Sequence, residues 1–190
     1  MPYPAVEVRD TGQYGKGVFA LENIAKGTVI HVFDGDNMSL NDFVQRVNSG
    51  TENPNDPLQV GMRTYIDLDD FSRSFNHSCD PNAGIRKRSE LFALRTILKG
   101  EQITFDYSAT IAPTLWKMSC HCGSKNCRKI IGDVRSIPPK QLVKYKNLGA
   151  IQRYMKALFV KPRWRDEIPK FEMEALNAMT KISDEDGFSS

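Results

Sequence analysis

Asn76-His77-Ser78-Cys79-Asp80-Pro81-Asn82 and, further along, Cys120-His121-Cys122-Gly123-Ser124-Lys125-Asn126-Cys127 hold every cysteine of the chain. A tetrahedral structural zinc takes four thiolates and leaves no open position. One closed site of Cys79, Cys120, Cys122 and Cys127 therefore accounts for all four. Disulfides are the competing reading, but the short Cys-x-Cys spacing is a poor disulfide framework. A zinc held this way ties the tail of a domain to its centre and puts the Asn76–Asn82 segment at the junction.

The rest of the composition fits that picture. A chain of 190 residues suits one domain with an appendage. At 40% hydrophobic and 26% charged residues it can bury a core of its own, so zinc fastens a part rather than replaces a core. The net charge of +3 is too weak to predict nucleic-acid binding, and no direct nucleic-acid partner is expected. No run reaches the length of a membrane span. The first residues lack the apolar core of a signal peptide. A nuclear or cytoplasmic setting is expected, and it disfavours disulfides. The sequence leaves the oligomeric state open.

Residues 5–110 read as short strands broken by turns. Val18-Phe19-Ala20 and Val29-Ile30-His31-Val32-Phe33 suit buried strands. Leu40 to Val47 has helical apolar spacing and stops near Gly50. Asn53 to Pro57 is a loop. Leu91–Arg95 and Gln102–Tyr107 are further strands around a Lys99-Gly100-Glu101 turn. After Pro138-Pro139 the pattern turns helical. Leu142, Tyr145, Leu148, Ile151, Met155 and Leu158 form one amphipathic stripe, and a second helix is expected from Asp166.

Four local signals follow one another: Gly15-Lys16-Gly17, Arg73 to Cys79, Gly100-Glu101-Gln102-Ile103-Thr104-Phe105-Asp106-Tyr107, and the Cys120–Cys127 cluster. This ordered set resembles the SET-domain protein lysine methyltransferases with their post-SET zinc segment, over about residues 7–132. The resemblance implies a mainly β SET fold, small β-sheets with a knot-like threading, here with a helical extension. It divides the chain into a SET domain (1–118), a post-SET zinc segment (119–132) and C-terminal helices (133–190). It implies S-adenosylmethionine as cofactor. The substrate is then a protein with a target lysine, a histone or another basic protein, entering a channel from the opposite face.

By the same resemblance Tyr107 is the catalytic tyrosine. Lys16, Gly17, Arg73, Asn76 and His77 hold the cofactor. Phe33, Tyr65 and Phe105 border the substrate channel, and a Phe at 105 favours di- or trimethylation. The residue types suit methyl transfer from a sulfonium to an amine. That reaction needs alignment, a neutral amine and a dry tunnel more than acid–base machinery, and the chain has no carboxylate pair or Ser/His/Asp order. Each assignment has a plainer counterpart: Tyr107 as a core tyrosine, Asn76 as a turn brace, His77 as a buried structural histidine. Phe33 stands where the family often has tyrosine, and Lys129 where it commonly has glycine. Asp67, Asp69 and Asp70 read equally as an acidic groove or a solvated loop, and Arg86-Lys87-Arg88 as a hairpin turn. A non-catalytic SET-fold module that binds a peptide is the alternative function.

Overall fold

Glycines, prolines and short β-branched runs cut the first two-thirds of the chain into strands too short to build one large sheet. The computed structural model describes residues 3–12, 15–113, 116–156 and 159. The strands are β1 (Val6–Asp10), β2 (Lys16–Ala20), β3 (Val29–Val32), β4 (Gly35–Ser39), β5 (Leu58–Gly61) and β6 (Thr64–Leu68). They continue as β7 (Asn76–His77), β8 (Ala83–Arg86), β9 (Glu90–Ala93), β10 (Thr104–Phe105), β11 (Lys117–Ser119) and β12 (Ile130–Gly132). Five small sheets result: β1-β2, β3-β9-β8, β4-β6-β5, β7-β10 and β11-β12. All pairings are antiparallel except β7 with β10, which sets Asn76 beside Thr104 and His77 beside Phe105. That parallel pair brings two distant motifs into contact.

Helix α1 (Leu40–Asn48) begins where the sequence places it because Ser39 and Asp42 form a reciprocal capping box. Its buried Leu40, Phe43 and Val47 pack with Met38 and Tyr65. The main core lies between the sheets and includes Val18, Ile30, Phe33, Phe75, Leu91 and Ile103. Arg86-Lys87-Arg88 is the expected hairpin turn between β8 and β9, with Lys87 at φ 48° and Arg88 at φ 87°.

Two expectations need correction. The strand expected over Gln102–Tyr107 narrows to Thr104–Phe105, because the Asp106 carboxylate accepts from the Ser108 N–H and starts a 3-10 turn at Tyr107. The single helix expected over Leu142–Leu158 is two. Helix α2 (Pro139–Leu148) ends at Gly149, whose φ of 72° is a left-handed cap, and α3 (Arg153–Lys156) follows. The helix expected from Asp166 lies outside the described residues. The described part of the extension is no loose appendage. Val134, Ile137, Leu142, Tyr145, Ile151 and Met155 form one buried cluster with Phe92 and Leu94 of the β8-β9 hairpin. No helix among the described residues is long and apolar enough to cross a membrane.

Candidate active site and metal centre

Strand β7 is the hinge of the site, and its two side chains point to different jobs. The Asn76 side-chain amide donates to the Lys16 carbonyl at 2.8 Å, which draws the start of β2 against it. Gly17 lies in that contact with no room for a side chain. A Cβ there would sit 2.3 Å from Gln102 Nε2 and 3.2 Å from Asn76 Nδ2. Lys16, Gly17 and Asn76 thus form one cradle. His77 faces the other way. Its Nδ1 accepts the Tyr107 backbone N–H at 3.2 Å, and its ring lies 5.3 Å from the tyrosine ring.

Tyr107 donates its hydroxyl to the Phe75 carbonyl at 3.0 Å, so the oxygen is fixed with its lone pairs free. Burial, then the Asp56 charge, pushes its pKa well above the ordinary phenol range, so the hydroxyl stays protonated. The ring forms one wall of a cavity of about 90 Å³, with Tyr65, Leu68, Phe75 and Phe105. Asp56, Arg73 and Trp116 also border it. Phe105 packs 4.8 Å from Tyr107. The cavity is aromatic on one side and charged on the other.

Two of three expected positions, Phe33 and Arg73, have different surroundings here. Phe33, expected along the channel, is 1% exposed and stands behind the wall, its ring 5.5 Å from Phe75 and 5.8 Å from Phe105. Tyr65 does border the cavity and also packs 4.6 Å from Phe43. Arg73, expected near the cofactor, lies in the wall of the Tyr107 cavity. It pairs with Asp56 at 3.0 Å and Asp67 at 2.5 Å, with Glu52 at 3.6 Å, and donates to the Leu68 carbonyl. Burial pushes the Asp56 and Glu52 carboxyls above their ordinary range, against the pull of Arg73. Asp67 is shared with Arg46, and Asp69 caps the Ser72 N–H, so two of the three aspartates have structural work.

The cysteines converge as well. All four are free, and Cys79 and Cys120 lie with their sulfurs 3.8 Å apart. Ligand atoms of His77, Cys79, Cys120 and Cys122 all lie within 4.8 Å of one another. Cys127 Sγ is 3.8 Å from Cys120 Sγ and turns towards the Cys120 carbonyl. His121 is exposed and outside the group. Strands β11 and β12 close the loop that carries the cluster. Burial raises the Cys79 thiol pKa, although hydrogen bonds from Arg128 oppose it. Burial also works against the Cys122 thiolate, but the Cys79 N–H and Ser124 outweigh it and bring the pKa to about 6.

A further network lies behind these residues, and no motif in the sequence announces it. Arg128 donates its backbone N–H and its Nε to Cys79 Sγ, both at 3.3 Å, and its Nη2 to Asp106 at 2.6 Å. Asp106 is buried, and that burial raises its pKa while Arg128 pulls it down. It also accepts from the Tyr145 hydroxyl at 3.2 Å. Gln141 donates to the Cys79 carbonyl at 2.8 Å, and Tyr154 donates to the Gln59 carbonyl at 3.3 Å. Helices α2 and α3 therefore brace both the cysteine cluster and the cavity wall. Asp106 adjoins Tyr107, which is the one cue the sequence held.

Comparison with known proteins agrees with this geometry. Residues 15–108 match the family model described as SET domain. The chain is 31% identical over 147 residues to Histone-lysine N-methyltransferase 2B of Homo sapiens, a match covering 67% of this chain and 5% of that protein. It is 28% identical over 211 aligned positions to an H3 lysine-36 specific histone-lysine N-methyltransferase of Candida albicans, covering 96% of this chain and 23% of that one. The chain thus spans less than a quarter of either relative. Among solved structures, KRYPTONITE bound to DNA, an H3(1-15) peptide and SAH is 25% identical, with TM-score 0.52 over 66% of this chain and 29% of that one. The methyltransferase domain of human SETMAR has TM-score 0.56 at 24% identity, over 67% of this chain and 58% of its own.

Proposed function

Because the chain carries a SET domain over residues 15–108, we propose that it is an S-adenosylmethionine-dependent protein-lysine N-methyltransferase acting on a histone or another basic protein. The observation that carries the reading is the parallel pairing of β7 with β10, which sets the Asn76–Gly17 cradle and the Tyr107 cavity side by side. Its relatives named as histone-lysine methyltransferases support the substrate class.

S-adenosylmethionine, when bound, supplies an electrophilic methyl group on a sulfonium. The Lys16–Gly17 backbone and Asn76 would hold it, and His77, on the other side of β7, would brace Tyr107 through its backbone N–H. Tyr65, Phe75 and Phe105 exclude water and lower the pKa of an entering lysine, so that its amine releases its proton to solvent. Tyr107, its hydroxyl anchored to the Phe75 carbonyl, orients the neutral amine. Holding both reactants in line supplies on the order of 7–11 kcal/mol of the barrier. Phe105 brings no hydroxyl to hold water beside the amine and leaves space for two or three methyls.

Cys79, Cys120, Cys122 and Cys127 would hold zinc, which would supply a structural tie rather than chemistry. His77 is not a ligand in this reading. Its Nδ1 accepts a backbone N–H, so the neutral ring carries its proton on Nε2, which donates to Cys79 Sγ at 3.3 Å. Arg128 supports the thiolate of Cys79. A zinc bound by these thiolates would order the segment that leads from the cavity into the extension.

The test is methyl transfer from labelled S-adenosylmethionine to core histones and to a cell lysate, with Tyr107→Phe alongside. The expected result is label on a discrete protein, reduced at least about 100-fold in the variant without loss of cofactor binding. Undiminished transfer by Tyr107→Phe refutes the assignment of that residue. Absence of S-adenosylmethionine binding by folded, zinc-loaded protein refutes the enzyme.

A further inference from the structure

The net charge of +3 averages over three unlike segments. Residues 1–133 carry 15 basic and 16 acidic side chains. From Val134 to Arg165 there are nine lysines and arginines and no Asp or Glu at all. Residues 166–190 then carry two basic and seven acidic side chains. The weak overall charge, which points away from nucleic acid, conceals a strongly basic stretch, whose described part packs on the β8-β9 hairpin.

The fold turns five of those charges outward. Leu142 and Tyr145 face the core, so Lys140, Lys144 and Lys146 lie on the exposed arc of α2. Lys140 and Lys144 are four residues apart and so neighbours on that face. Arg153 and Lys156, three apart, are exposed on α3. Among the described residues Lys140, Lys144, Arg153 and Lys156 have no acidic partner. Lys146 rests over the Phe159 ring at 3.8 Å. Arg135, by contrast, is held by Asp133 at 2.6 Å and is not part of the surface.

We infer that the outward face of α2 and α3 binds the phosphate backbone of duplex DNA. Lys140, Lys144 and Lys146 are strung over about 9 Å of α2 at 1.5 Å per residue, and Arg153 and Lys156 add two more on α3, rather than all gathering round one point. That spacing suits a repeating polyanion and not a single phosphate. Val143 is the one large apolar side chain exposed on α2 among the described residues, which leaves no apolar face to enter a lipid surface. The binding is independent of base sequence, since it rests on phosphate contacts alone.

The experiment is fluorescence anisotropy of the full chain with a labelled duplex of about 20 base pairs, titrated between about 50 and 200 mM salt. Four phosphate contacts give a log–log salt slope near −4 and about a 100-fold loss of affinity across that range. The variant Lys140→Gln/Lys144→Gln/Arg153→Gln/Lys156→Gln is expected to flatten the slope towards zero. Lys140→Arg/Lys144→Arg is expected to keep it, which separates charge from packing. The inference is overturned if the unaltered chain does not bind at the lowest salt, if the four-fold variant binds as before, or if single-stranded RNA or anionic vesicles of phosphatidylserine and phosphatidylcholine compete better than duplex. None of these readings depends on methyl transfer, so the surface and the enzyme stand or fall separately.

Discussion

Replacing Gly17 by alanine probes the proposed cofactor cradle with one methyl group. The new Cβ would lie 2.3 Å from Gln102 Nε2, 2.9 Å from Thr11 Cγ2 and 3.2 Å from Asn76 Nδ2. The first contact relaxes easily, because the glutamine amide is the free end of a flexible side chain. The third does not, because Asn76 can retreat only by stretching its 2.8 Å bond to the Lys16 carbonyl. Overpacking of this kind costs about 1–3 kcal/mol, and a weakened hydrogen bond adds about 1 kcal/mol. Set against a typical folding free energy of about 5–15 kcal/mol, the variant still folds. The cradle itself shifts and narrows. A loss of about 1.4–2.8 kcal/mol there is a 10- to 100-fold weaker affinity for S-adenosylmethionine. Isothermal titration gives the affinity and thermal unfolding gives the stability, each measured separately. A variant that unfolds at a lower temperature yet binds S-adenosylmethionine within about twofold of the unaltered chain would show that Gly17 serves packing alone.

Gly35 should behave differently. A Cβ there, at φ 149°, would lie 1.9 Å from the Asp67 backbone carbonyl, which cannot swing aside, so Gly35→Ala is expected to lose about 4 kcal/mol or more and to show no cooperative melt. Lys129 holds a left-handed φ of 66°, so Lys129→Gly should gain about 0.5–1 kcal/mol and raise the melting temperature by a few degrees; an unchanged or lower value would contradict the strain. Burial lowers the His31 pKa, with Asp69 opposing, while the unfolded chain takes up its proton near about 6.5. The contribution is thus fully present above that pH and is lost as pH falls towards the folded value. Urea midpoints should fall on acidification below about pH 6.5, and less so in His31→Phe; equal slopes would refute the assignment.

The sequence made the site easier to read than its setting. Asn76, His77, Tyr107 and the cysteines stand in short runs whose order carries meaning, and β7 sets Asn76 and His77 beside Thr104 and Phe105, next to Tyr107. The capping box at Ser39 and Asp42 is local, so α1 is legible to within a residue. What stayed hidden depends on tertiary contact. Arg73 reads as a basic residue near the cofactor, and only the fold reveals Glu52, Asp56 and Asp67 around it. Phe33 reads as a channel position, and only packing sets it behind Phe75 and Phe105. Arg128 and Tyr145 meet on Asp106 from elements with no shared motif. Gly149 was visible within the helical stripe, but its left-handed cap is a backbone fact that hydrophobic spacing does not encode.

The reach of the contacts around β7 bears on how a newly made chain matures. Asn76 reaches back to Lys16, 60 residues earlier, and is paired with Thr104 downstream. Cys79, however, needs Cys120, Arg128 and Gln141, the last of them 62 residues later. On a ribosome the N-terminal sheets can collapse while the pocket is still incomplete, and closure of the cysteine cluster must follow the exit of Cys127. Contacts closed over such separations form slowly. Truncated products ending before Gln141 would therefore carry the Lys16–Asn76 contact without the brace on Cys79.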